Sequence, residues 1–410
     1  MKEKKLSIQS SVMWNSVGSI FYLGCQWILT VLVVRISGVE TSGIFSLAMS
    51  VCNIWYCFSV YGMRNFQVSD TSEKYQNGTY IFSRGITIVV SLMGCIIYCF
   101  VIPYSIEQKS CIILYFLFKI SEAIFDVYAG IFQKNWRLDY VGKSLIIRGW
   151  LSIIVFLVTL VLFDNLILTI ACMMVSCNLS IFIYDIPHAK KIDTIMVNYN
   201  FRQVRELLIE CFPLVVYTFL SSAIATIPRL FMERIMGNYE LGIYGAVATP
   251  TLIIQMVATY VFNPFVTLFA EKYNHREKKG FTKTFINCSL VVLFVSIIGI
   301  VGGKIFGKWG LELIYGEEVA AYVELLIPLI LCTVLTAFAW LLCGILTAIR
   351  QFRGLVLGNF VAVLVVTLIS VPLEKQFGMQ GASIALAIAV VSEILVLVYY
   401  LFHDMKKQFT

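Results

Sequence analysis

Residues 12–34 read VMWNSVGSIFYLGCQWILTVLVV, and residues 35–45 continue RISGVETSGIF. The first stretch carries no charge and is apolar on every helical face, so it has no side suited to water. At 1.5 Å per residue it is long enough for a hydrocarbon core of ~30 Å, which needs about 20 residues. It predicts a membrane span over 11–34, closed by Arg35, a turn at Gly38 and a second span over 43–65. Similar runs follow at 81–103, 110–133, 144–163, 165–185, 206–228, 241–269, 282–303, 321–348, 354–373 and 378–402. The expectation is an all-α membrane protein of twelve transmembrane helices. Residues 1–9 form a short basic tail, and the run behind them is too long for a signal peptide, so it reads as a retained first span.

The turn after the first span recurs. Arg35, Ile36, Gly38, Gly43, Ile44 and Phe45 are matched, 199 residues later, by Arg234, Ile235, Gly237, Gly242, Ile243 and Tyr244. Gly38 and Gly237 can end a helix in a left-handed cap, and Gly43 and Gly242 let helices approach closely. The chain therefore divides into a six-helix bundle at 1–190, a polar linker at 191–205 and a second six-helix bundle at 206–410. With an even number of spans in each, the halves share an orientation, as a pseudo-twofold along the membrane normal requires.

Composition agrees. The 410 residues are 59% hydrophobic and 13% charged, against about 25% charged in soluble domains. The 12 cysteines all lie in apolar runs as packing residues, and the 3 histidines lie in polar loops or the tail, so neither a disulfide framework nor a metal site is expected. With the N-terminus inside, Lys and Arg gather on the cytoplasmic loops, leaving Arg35, Lys109, Arg229, Arg234, Lys304, Lys308 and Lys375 outside and Lys119 within a span. This puts both termini in the cytoplasm. The net charge of +7 describes topology, and no basic patch interleaved with aromatics points to nucleic acid.

Span four carries the costliest side chains. Lys119, Glu122 and Asp126, followed by Gly130 and Gln133, fall at steps of three and four on one face, and ionisable groups at membrane depth face a bundle interior or watery cavity. They read either as substrate or ion contacts or as a buried ion pair in which Lys119 neutralises Glu122. Glu122 and Asp126 are also candidates for proton coupling, as close carboxylates. Arg35 and Arg234 read as rim cations or as a duplicated inward-facing pair. Arg64 and Arg148 lie towards the cytoplasmic rim. Asn15 and Gln26, with Ser16, Gly18 and Thr30, give span one a broken polar stripe suited to interhelical hydrogen bonds or a cavity lining. Pro213 and Pro250 would bend spans seven and eight, so both are gating candidates.

Asn15-Ser16 with Gly18, the turn Arg35 to Gly38 leading to Gly43–Phe45, the segment Arg64 to Asp70, and Gly130 to Gln133 running on to Lys143-Ser144 and Arg148-Gly149 together resemble the Wzx-type polysaccharide flippases. These are members of the MATE-like multidrug/oligosaccharidyl-lipid/polysaccharide exporter superfamily. The resemblance covers nearly the whole chain. It implies two six-helix bundles around a V-shaped cavity that opens alternately to each side of a bacterial cytoplasmic (inner) membrane. It also implies an undecaprenyl-pyrophosphate-linked oligosaccharide as substrate, moved to the outer leaflet for capsule, O-antigen or exopolysaccharide synthesis, with a polysaccharide polymerase and a chain-length regulator as partners. No cofactor is implied beyond H⁺ or Na⁺ as a coupling ion. The family has no strict motif for sugar recognition.

Taking an ion out of water has an idealised cost on the order of 20 kcal/mol. A pyrophosphate therefore needs a hydrated, partly cationic path while its polyprenyl tail stays in lipid, and an inside-negative potential favours its outward passage. The sequence leaves two rivals open: a cation-coupled multidrug or small-solute exporter of the same architecture, and a membrane polysaccharide polymerase. The outer loops are short for the latter, since an enzyme of that kind needs a sizeable extramembrane domain.

Overall fold

The computed structural model describes residues 7–70, 74–193, 200–252, 265 and 268–409. Among them all regular structure is helical. The helices are α1 (Ile8–Val60), α2 (Met63–Ser69), α3 (Asn77–Val101), α4 (Ile106–Lys134), α5 (Leu138–Phe163), α6 (Leu166–Ser180), α7 (Ile186–Ile192), α8 (Phe201–Met236), α9 (Asn238–Ala248), α10 (Lys278–Tyr315), α11 (Glu317–Ala320), α12 (Leu326–Ala348), α13 (Phe352–Phe377) and α14 (Met379–Phe409). Among the described residues, nine helical stretches are long and apolar enough to cross a membrane. The chain is a multi-pass, all-α membrane protein. The first of the nine runs through α1 and is broken at Gly38, whose backbone leaves the helical region. The expected span 110–133 corresponds to α4, which stays outside the nine through its ionisable residues. Within the expected span 241–269, residues 253–264, 266 and 267 lie outside the described residues, Pro264 among them, as do Lys2, Lys4 and Lys5 of the basic tail.

Helix starts follow local chemistry. Ser7 caps α1 by accepting from the Ser10 amide at 3.2 Å, and Asn165 caps α6 by accepting from Leu168 N at 2.9 Å. At α4 a reciprocal pair closes the first turn: Ser105 Oγ accepts from Gln108 N at 3.1 Å and Gln108 Oε1 from Ser105 N at 2.8 Å, which satisfies two otherwise orphaned donors.

Gly38 (φ 85°, ψ 175°) and Gly237 (φ 108°, ψ −174°) occupy the same dihedral region. It is not the left-handed cap expected but the extended positive-φ region that only glycine enters readily. Three further pairs of positive-φ residues stand at a constant separation of 214: Gly62 with Arg276, Trp136 with Arg350, and Asp164 with Gly378. After α4 and after α12 the hydrogen bonds also match. Trp136 N donates to Gln133 O and Arg137 N to Phe132 O, while Arg350 N donates to Thr347 O and Gln351 N to Leu346 O. The internal repeat is thus carried by backbone geometry at helix ends, mostly without residue identity.

By contacts the chain divides into Met1–Phe219 and Leu220–Thr410. The expected boundary at 191–205 followed polarity, whereas the contacts divide within α8. The first half of α8 is fastened to the N-terminal unit. Lys74 pairs with Glu210, Tyr75 Oη donates to Glu210 at 3.1 Å, and the rings of Phe58 and Phe219 pack at a tilt of 47° with centroids 5.1 Å apart.

Within the N-terminal unit α1 and α5 touch backbone to backbone. A Cβ on Gly18 would sit 2.3 Å from Gly142 O, and one on Gly142 would sit 2.1 Å from Trp14 O. Seven residues further along each helix, Gly149 meets Cys25 and Phe21. Small residues give this closeness where lipid removes any hydrophobic drive between helices. The C-terminal unit packs Ala339 of α12, Ala362 and Val366 of α13, and Ala385, Ala389 and Val390 of α14 in one cluster with Ile224.

Candidate functional site

The face of α4 expected to carry charge does so, and neighbouring helices of the N-terminal unit supply its partners. Lys119 pairs with Glu122 one turn along, and its ammonium lies 4.5 Å from the centre of the Tyr56 ring, an arrangement that adds cation–π attraction. Tyr22 of α1 donates its hydroxyl to Glu122 at 2.5 Å. One turn further, Asp126 receives Arg84 Nη2 of α3 at 2.7 Å and lies 3.6 Å from Arg64 Nη1 of α2. Arg84 also donates to Ser59 O at 2.7 Å. Arg64 donates through Nε and Nη2 to Gln133 Oε1 at 3.1 and 2.9 Å. Gly130 completes the face: a Cβ there would sit 2.0 Å from Gln67 Oε1.

Burial grades this network. The side chain of Arg84 is 2% exposed, that of Asp126 16% and that of Arg64 28%. Beside Arg64 opens a cavity of about 340 Å³ lined by Val60, Gly62, Arg64, Asn65, Asp126 and Gln133. The bend between α1 and α2 that shapes it is made by Tyr61 (φ 52°) and Gly62 (φ 62°), a left-handed pair that is uncommon for a bulky residue such as tyrosine. Glu122 and Asp126 each have a cation beside them, so the face is electrostatically organised before any ligand arrives.

Arg148, expected near the rim, is inside the bundle at 1% exposure. It pairs with Asp185 at 3.0 Å, donates to Ser121 Oγ at 3.3 Å and lies 4.8 Å from the Phe125 ring centre. Asp185 ends a π-helical turn, Ile181–Asp185, between α6 and α7, and such turns re-aim a side chain within a helix. This pair is closed to solvent, so Arg148 ties helices of the bundle together. Arg35 and Arg234 are both exposed, at the two glycine turns. Asn15 and Gln26 are half-buried, and Gln26 Nε2 is buried without a hydrogen-bond partner among the described residues. Pro213 is exposed within α8, which is assigned as one helix from Phe201 to Met236. Pro250 sits in the 3₁₀ turn Thr249–Thr251 that follows α9. Pro228 in α8 and Pro372 inside α13 are further helix prolines that the sequence reading passed over.

Arg84 is the main residue missed. Loop counting assigned it to the cytoplasmic surface, yet Arg84, Thr87 and Ser91 form a buried polar stripe on α3 at steps of three and four, and that spacing was the available signal. Asp185, Tyr22 and Tyr56 were missed with it. In the C-terminal unit, Glu374 of α13 is fully buried, and neither carboxylate oxygen has a hydrogen-bond partner among the described residues. Glu393 of α14 is buried at 5% with the Cys343 thiol 3.7 Å away. Among the described residues no three His, Cys, Asp or Glu side chains gather as metal ligands.

Comparison with known proteins bears on this geometry. The model of a family described as polysaccharide biosynthesis protein matches residues 8–264. The capsular polysaccharide biosynthesis protein CapF of Staphylococcus aureus is 26% identical over 304 residues, 74% of this chain and 76% of that protein. The lipid II flippase MurJ in an inward closed conformation superposes with a TM-score of 0.74 at 15% identity, over 97% of this chain and 90% of that one. The MATE transporter VcmN of Vibrio cholerae superposes with a TM-score of 0.64 at 11% identity, over 97% and 96%. The fold is the all-α, multi-span fold of the MATE and MurJ transporters.

Proposed function

Because the chain belongs to the polysaccharide biosynthesis protein family, we propose that it is the flippase of such a pathway. It carries undecaprenyl-pyrophosphate-linked oligosaccharide from the cytoplasmic to the outer leaflet of a bacterial cytoplasmic membrane by alternating access. The supporting observation is a conjunction: a polysaccharide biosynthesis family combined with a transporter fold over 97% of the chain. On this reading the chain has twelve spans in two like-oriented halves with both termini in the cytoplasm, and it works beside a polysaccharide polymerase and a chain-length regulator.

The charged face of α4 fits the task. A pyrophosphate and its sugars need polar, partly cationic walls at membrane depth, and Lys119, Glu122, Asp126 and Arg64 are partly open side chains held in a fixed network. Deletion of the gene tests the proposal. The expected result is loss of surface polysaccharide with lipid-linked repeat units trapped in the cytoplasmic leaflet and unchanged drug susceptibility. Normal surface polysaccharide with new sensitivity to cationic drugs would replace it with the multidrug-exporter reading.

A further inference from the structure

Among the nine apolar stretches α10 is the least enclosed: 17% of its apolar window is buried, against 28% or more for the other eight. Its 38 residues extend about 57 Å at 1.5 Å per residue, nearly twice a hydrocarbon core of ~30 Å, so a bilayer covers only part of it. Charge marks which part. No Asp, Glu, Lys or Arg falls between Lys283 and Lys304, which stand 21 residues apart, about 31 Å along the axis. That spacing matches the thickness of the core.

The lysines also share a face. One stripe, in steps of three and four, begins at Lys279 and Lys283, continues through apolar side chains such as Leu290 and Ile297, and ends at Lys304 and Lys308; all six are exposed. The buried side of the helix is made of small residues, Thr284, Cys288, Ser296 and Gly307 among them.

The two ends differ. The N-terminal end gathers five cations, Lys272, Arg276, Lys278, Lys279 and Lys283, against the two carboxylates Glu271 and Glu277. Lys272 holds the start of the helix by donating to Gly280 O at 3.2 Å and Thr284 Oγ1 at 2.7 Å. Lys278, Lys279 and Lys283, with Thr282, Ile286 and Asn287, line a cavity of about 530 Å³. At the far end Lys304 and Lys308 are followed, one turn on, by Glu312. A group of four to eight basic residues beside a span attracts anionic headgroups.

We propose that the cavity is the headgroup site of an anionic phospholipid. Lys278, Lys279 and Lys283 hold its phosphate, Thr282 and Asn287 offer hydrogen bonds to its glycerol, and its acyl chains lie along the exposed stripe from Ile286 to Ile297. The occupant is a lipid because the lysines run without a break into the apolar stripe, which a soluble acidic partner would leave uncovered. Lys304 and Lys308 reach the opposite headgroup layer and fix the depth of the helix, so α10, with little protein around it, takes its position from lipid. The site requires only that α10 crosses the bilayer and does not depend on the flippase reading; on the topology proposed above it faces the cytoplasmic leaflet.

The test uses the full-length protein in nonionic detergent micelles, titrated with phosphatidylglycerol and phosphatidylcholine of the same acyl chains, with the complexes counted by native mass spectrometry. Phosphatidylglycerol is expected to bind more tightly. A lysine near an anionic surface contributes about fivefold, so Lys279→Gln/Lys283→Gln should cut this preference by about twenty-fivefold and leave phosphatidylcholine unchanged. Lys304→Gln/Lys308→Gln should keep most of the preference. Equal affinity of the parent for the two lipids overturns the site. An equal loss in the two double variants also overturns it, since net charge alone would then explain the attraction. Lys279→Arg/Lys283→Arg, which keeps the charge, should retain the preference; its loss there together with a lowered melting temperature would assign these lysines to the fold and overturn the site.

Discussion

Arg84 of α3 and Asp126 of α4 meet at 2.7 Å across two helices, with the arginine side chain 2% exposed. Removing the carboxylate of such a pair leaves Arg84 charged and buried, at a cost of about 3–5 kcal/mol. Asp126→Asn is therefore expected to lower the thermal unfolding midpoint in micelles sharply. The double variant Arg84→Met/Asp126→Asn should be less destabilised than the sum of its single changes, since it deletes charge of both signs. Strict additivity in a thermal-shift series would show that the two side chains do not depend on one another.

The α1–α5 seam makes a sharper contrast. Gly18→Ala drives a methyl group into Gly142 O, 2.3 Å away, whereas Gly24→Ala on the same helix meets nothing within 4 Å. Overpacking costs about 1–3 kcal/mol where side chains yield, and backbone yields less readily, so Gly18→Ala should fall at or above that range. Gly24→Ala should match the parent. Equal melting temperatures for the two variants would dissociate the seam from stability.

At the repeated turns the penalty is conformational. Gly38 has open space around its Cβ position but φ 85°, so Gly38→Ala tests backbone strain alone, expected at about 1–3 kcal/mol. Gly302, with equally open surroundings and no positive φ, is the control. An Ala at Gly38 as harmless as one at Gly302 would mean that the turn relaxes into another conformation.

The all-α, multi-span character of the chain and the charged face of α4 were legible because both depend on local rules: apolar length in one case, steps of three and four in the other. The turn repeat was legible only at Gly38 and Gly237, where residue identity survived along with geometry. At Trp136 and Arg350, or Asp164 and Gly378, the backbone repeats while the side chain changes, so comparison of residues is blind to it. Arg84 was illegible for another reason. A basic residue near a span end reads as a surface anchor, and only the position of Asp126 on a different helix turns it into a buried partner. Arg148 was misread in the same way, its partner Asp185 being set by a π-helical turn that no spacing rule announces.

Tyr22 and Glu122 are joined at 2.5 Å between α1 and α4. A hydrogen bond to a charged group contributes about 1.5–3 kcal/mol, so Tyr22→Phe should destabilise by roughly that amount. In the presence of Glu122→Gln the same change should have a smaller effect. Lys119→Ala, at matched expression, should reduce the yield of surface polysaccharide; full yield would confine Lys119 to a structural part.

Electrical driving is open to direct measurement. Each negative charge carried outward gains about 2.3 kcal/mol per 100 mV of inside-negative potential. Outward flipping of a fluorescent undecaprenyl diphosphate oligosaccharide in proteoliposomes should therefore quicken when a potassium diffusion potential of that sign is imposed. A rate indifferent to the potential would mean that the charge is neutralised in transit, as by a co-transported cation.

Where Gly18 lies against Gly142, the obstacle to any larger residue is main chain on both sides. A clash between side chains can be cured genetically by trimming the partner, but no codon change removes a carbonyl group. Loss-of-function alleles at these two positions should therefore yield true revertants and few compensating suppressors. In a lineage diversifying its cell-surface polysaccharide, this seam should therefore stay fixed.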